Sequence, residues 1–163
     1  MRRGQAFETM MLVISVIVAL AILGVLLNII GVIPGIGVSD PRTSIKDGFQ
    51  QLQGRGGIGI ISPKKVTFTA GDKIVRSELV SQLSIQATQV KFFCAEDGIC
   101  GGSNSPLDIV DEKTIDVIRK VEVYIVTCAN EQNGKEYNYC ATIASTSKAK
   151  EATDKCTTEC GVE

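Results

Sequence analysis

The sequence predicts an α+β protein: a long N-terminal hydrophobic helix followed by a small, mainly antiparallel, β-sandwich-like head held by disulfides. Three observations carry that expectation. Between Glu8 and Asp40 no residue bears a formal charge. From Gly57 onward, apolar and polar residues mostly alternate, as they do in half-buried strands. All six cysteines, Cys94, Cys100, Cys128, Cys140, Cys156 and Cys160, lie in that second part. At 163 residues the chain has room for one compact unit and an appendage. The expected division is a basic leader over residues 1–8, an apolar helix over 9–33, a hinge and short amphipathic helix over 34–56, and the head over 57–163.

The stretch Met10 to Ile30, MMLVISVIVALAILGVLLNII, is long enough as a helix, at about 1.5 Å per residue, to cross a bilayer core of about 30 Å. It is expected to be a transmembrane helix in contact with lipid. A core helix would need burial all round, and a chain this small has no second layer to provide it. A cleaved secretory signal is also disfavoured: cutting after Ala19-Leu20-Ala21 would leave ILGVLLNIIGVI at the new terminus. Arg2 and Arg3 favour a cytoplasmic N-terminus, although Arg42 and Lys46 follow the span. The cysteines orient it better, because an even number confined to one side suggests disulfides, which persist outside the cytoplasm. Within the span, Ala21, Gly24, Asn28 and Gly31 recur at three- and four-residue spacings, a small and polar stripe that favours close helix association.

The string RRGQAFETMMLVISVIVALAILGVLL resembles the N-terminus of archaeal type IV pilin-like proteins, which carry a class III signal peptide. The resemblance rests on a short basic leader ending in Gly, then Gln, then Glu ahead of a long apolar helix. It implies that a prepilin peptidase cuts after Gly4, with Arg3, Gly4 and Gln5 forming the processing site. It also implies that the helix stays on the mature subunit and packs against copies of itself, or other pilin-like subunits, in a filament. Cutting after Gly4 makes Glu8 the fourth mature residue, whereas the family's Glu stands fifth; cutting after Arg3 restores that register. Independently of any family, a carboxylate at the edge of an apolar helix is costly to bury alone, so Glu8 needs a cation, and a neighbouring subunit's α-amino group is the nearest available.

Beyond the span, the Pro and Gly residues of GVIPGIG break the helix. Ser39-Asp40-Pro41 reads as a fresh N-cap with Pro at the first helical position, and Ile45, Phe49 and Leu52 place a short amphipathic helix over 41–53. Strands are expected around Val66–Thr69, Leu83–Ala87 and Val121–Ile125, with a β-bulge after Thr88 where the apolar phase slips by one. Ser77–Leu83 and Asp108–Lys120 are compatible with helix or strand.

Six cysteines allow fifteen disulfide patterns. Loop geometry favours three local bridges: Cys94 with Cys100 around AEDGI, Cys128 with Cys140 around the Asn133-Gly134 turn, and Cys156 with Cys160, the alternative for this last pair being to pin the tail to the sheet. A zinc site is disfavoured by intervals of five, eleven and three residues, without a C-x2-C knuckle. The acidic run Asp108, Asp111, Glu112 and Asp116 lacks the pattern of a calcium loop. No His or Trp is present, which removes imidazole-based catalysis and His metal ligation, and no cofactor motif occurs. With 17 basic and 18 acidic residues interspersed, no nucleic-acid partner is expected. The expected function is therefore non-enzymatic: a structural subunit of a surface filament, or alternatively a signal-anchored single-pass protein whose extracytoplasmic domain binds a ligand or partner without polymerising.

Overall fold

The computed structural model describes residues 11–23, 40–101, 104–132 and 136–162. The chain divides into two units, Met1–Gly37 and Val38–Glu163. In the first, residues 11–23 form a helix, α1, all of whose residues are exposed. No helix among the described residues is long and apolar enough to cross a membrane. This corrects the expectation of a transmembrane helix over Met10–Ile30.

The second unit opens with helix α2 (Pro41–Gly54), and its start follows from local chemistry. The Asp40 side chain accepts a hydrogen bond from the Thr43 backbone N–H at 3.2 Å, and Pro41 occupies the first turn, where its missing N–H costs nothing. Ile45, Phe49 and Leu52 are fully buried along one face, each contributing about 1.5–3 kcal/mol relative to exposure.

Four strands, β1 (Gly59–Phe68), β3 (Val90–Cys94), β6 (Val121–Gln132) and β7 (Glu136–Ser145), build the main sheet in the order β1-β6-β7-β3. The β1–β6 and β6–β7 pairs are antiparallel, and β3 runs parallel to β7. A smaller antiparallel sheet of β2 (Lys73–Val75), β4 (Leu107–Val110) and β5 (Thr114–Val117) has the order β2-β5-β4. A short helix α3 (Arg76–Val80) follows β2, and helix α4 (Ala149–Cys160) closes the chain.

The expected β-sandwich is corrected by what covers the main sheet. Residues 125–129 of β6 and 139–144 of β7 are buried without interruption, so these central strands have no solvent face. Strands covered on both sides read as continuous apolar runs, and here each side has its own cover. On one face Val123, Ile125, Ala129, Tyr139, Ala141 and Ile143 join α2 and the inner face of the small sheet in the larger core. On the other, Val126, Cys128, Cys140 and Ala144 meet Ala152, Cys156 and Cys160 of α4. The Tyr139 ring meets Phe49 edge-on at 5.6 Å, tying β7 to α2.

Two strand assignments also change. Residues 83–87 form no strand; they lead into a 3-10 turn at Ala87–Gln89. The apolar phase slip after Thr88 is thus the start of β3 at Val90, with no bulge there. Asp108–Lys120 resolves into the β4–β5 hairpin, in which Asp111 and Glu112 both hold positive φ at the turn.

Helix α2 lies so close to the sheet that Gly48 touches β6. A Cβ at this position would stand 2.9 Å from Thr127 Cγ2 and nearer still to its hydroxyl. Gly48→Ala gains about 1 kcal/mol of helix propensity, but the overlap outweighs it, for a net loss of about 1–3 kcal/mol. In a Thr127→Ala background the same change is expected to be neutral or stabilising; equal losses by chemical denaturation in both backgrounds would show that the contact is not the cause.

Candidate functional site

The chemistry-bearing residues of the head converge where α4 crosses β6 and β7. Cys128 and Cys140 are directly opposed partners in the β6–β7 ladder, so their side chains stand side by side on one face of the sheet. Cys156 and Cys160 are one helical turn apart on α4 and buried against that same face. The disulfides follow this placement: Cys128–Cys156 and Cys140–Cys160, with Cα separations of 6.1 and 6.0 Å. The expected bridges Cys128–Cys140 and Cys156–Cys160 are thereby corrected. Each of those pairs points in parallel toward the opposing element, so each sulfur bonds across the interface. The local bridge Cys94–Cys100 does form, with a Cα separation of 6.1 Å, and no cysteine is left free.

Helix α4 was not anticipated from the sequence, yet its pattern was present. Ala152, Cys156 and Cys160 recur at four-residue intervals and all are buried. Gly161 follows in the left-handed conformation at φ 71°, which glycine adopts without strain and which ends the helix. Small side chains on both sides, Ala144 on the sheet and Ala152 on the helix, belong to the same buried cluster and leave room for the helix to approach closely. Beside them, the buried Thr142 hydroxyl has no hydrogen-bond partner among the described residues.

A polar clasp holds the start of α4. Glu96, in the loop after β3, accepts a 2.6 Å hydrogen bond from the Ser145 backbone N–H and pairs with Lys148 at 3.5 Å. Lys148 also meets Glu151 at 3.0 Å, and these contacts, Glu151 first, raise its pKa. Partial desolvation alone would raise the pKa of Glu96, but the Ser145 hydrogen bonds and the Lys148 charge outweigh it and lower the carboxyl below its usual range.

No protein-family model matches the chain, and neither a curated protein nor a solved structure matches it. Of the residues assigned to assembly, Ala21 lies exposed on α1, while Glu8, Gly24, Asn28 and Gly31 lie outside the described residues, as do the processing residues Arg3, Gly4 and Gln5. Around Ala21, α1 exposes ten large apolar side chains between Met11 and Leu23, each by about half or more of its surface. Its one hydroxyl, Ser15, donates to the Met11 carbonyl at 2.9 Å and so satisfies itself within the helix. An apolar helix exposed on every face needs a partner surface to cover it.

Two measurements test this site. Loop-closure entropy gives about 3–4 kcal/mol for a bridge spanning 28 residues and about 2 kcal/mol for one spanning six. Cys128→Ala/Cys156→Ala is therefore expected to cost more stability than Cys94→Ala/Cys100→Ala; the reverse order in denaturant melts would contradict the assigned hierarchy. For Glu96 the folded pKa lies below the unfolded one, so its stabilisation is complete above the unfolded value and is lost as pH falls through the folded value. Glu96→Gln is expected to destabilise at neutral pH, with the gap to the parent closing in acid. A gap independent of pH would show that the charge plays no part.

Proposed function

We propose that this chain is the structural subunit of a type IV pilus-like filament at the cell surface, assembled through its apolar N-terminal segment and displaying the disulfide-held head. The observation that carries the reading is the contrast between the two units. The head buries its own core in two clusters, whereas α1 leaves nearly every large apolar side chain uncovered. A head complete in itself gains nothing from such a helix unless the helix packs elsewhere, and identical helices from neighbouring subunits offer a matching surface.

The leader RRGQ and the Glu8 carboxylate fit the same reading, with prepilin peptidase as the processing partner and other copies, or other pilin-like subunits, as assembly partners. Three disulfides favour an extracytoplasmic head, since such bonds persist in oxidising surroundings. The role is packing and display, without catalysis.

The mass of the mature N-terminal peptide tests processing: loss of residues up to Arg3 or Gly4 is expected, and an intact leader would count against a pilin. Ile17→Glu places a charge in the apolar surface, where burial without a partner costs several kcal/mol. It is expected to abolish surface filaments in electron micrographs while the three disulfides still form. Filaments of normal yield from this variant would sink the assembly role of α1.

A further inference from the structure

We propose that, when its disulfides are reduced, the cluster of Cys128, Cys140, Cys156 and Cys160 is a tetrathiolate site for one divalent cation of the zinc class. The Sγ atoms of Cys128, Cys140 and Cys160 already lie within 4.8 Å of one another, and Cys156 Sγ is bonded to Cys128. Zinc–sulfur bonds of about 2.3 Å in a tetrahedron need sulfurs about 3.8 Å apart. The elements supply these donors in a suitable arrangement. Two come from opposed positions of an antiparallel strand pair and two from positions i and i+4 of one helix packed on it. A ββα zinc finger also combines a strand pair with a helix that carries one ligand at each of two positions about a turn apart.

The chain-order intervals that argued against zinc are misleading here, because a C-x2-C knuckle is only one way to place two thiolates together. Strand register does the same for Cys128 and Cys140, which are separated by eleven residues in sequence and adjacent in space. All four residues are buried, with at most 2% exposure, so water would compete weakly for the ion. Soft thiolate donors select zinc or cadmium over calcium or magnesium.

The chemistry balances once an external reductant is supplied. A thiol or phosphine reductant supplies two electrons to each of two disulfides, which take up four protons and become four thiols. The cation then replaces those four protons. The same attachment of α4 to the sheet is thus available by two routes: sulfur–sulfur bonds in oxidising surroundings, and a metal where disulfides cannot persist. Cys94 and Cys100 stand apart from this cluster on β3 and its following loop and take no part.

The test is a cadmium titration of the full chain reduced anaerobically with a phosphine. One Cd²⁺ per chain is expected, with a thiolate-to-cadmium absorption band of four-sulfur intensity and a rise in thermal midpoint. Cys94→Ala/Cys100→Ala should bind as the parent does, while Cys128→Ala/Cys156→Ala and Cys140→Ala/Cys160→Ala should each lose the stoichiometric band. No binding, or binding without thermal stabilisation, would overturn the proposal. So would binding that depends equally on all six cysteines, the behaviour of an unfolded thiol-rich chain.

Discussion

The antiparallel pairing of β6 with β7 is the constraint on which the rest of the head depends. The pairing runs unbroken from Val123 opposite Ser145 to Gln132 opposite Glu136, and its middle is buried on both faces. A backbone ladder satisfies its own polar groups, but its apolar side chains need cover on each side. Helix α2 and the small sheet provide it on one side, α4 on the other. Each cover is matched in shape to the strand beneath: Gly48 gives way to Thr127, and Ala152 belongs to the same small cluster as Ala144.

The two covers are held by different physics. Helix α2 relies on large apolar side chains and an aromatic contact, which together remove much surface from water. The buried residues of helix α4 are only alanine and cysteine, which remove less apolar surface from water than the Ile, Phe and Leu of α2. Two disulfides and the Glu96 clasp add to that hold. Small domains commonly compensate a thin core in this way. The consequence is a C-terminal helix that stays attached under conditions that would loosen an ordinary terminal helix.

Legibility in the sequence followed the range of the interactions. Asp40-Pro41 and the Ile45, Phe49, Leu52 stripe announce α2 because capping and helical periodicity act within a few residues. Alternation announces β1 and the start of β6 for the same reason. The alternation stops at Ile125, where burial becomes continuous, and the alternating part alone suggests a sandwich. The helical stripe Ala152, Cys156, Cys160 was legible too, but three residues between two cysteines also suit a local bridge.

By itself, the sequence determined the apolar character of the N-terminal segment, the capped start of the head, and the presence of six cysteines in even number, because composition and short-range periodicity need no knowledge of distant neighbours. The parallel placement of β3 beside β7 and the cover on both faces of β6 and β7 were decided only by the tertiary structure. So was the choice of disulfide partners. Opposed strand positions and successive helix turns each aim two side chains in parallel, so which sulfurs meet depends on which elements face one another, and that is set by packing among residues far apart in the chain.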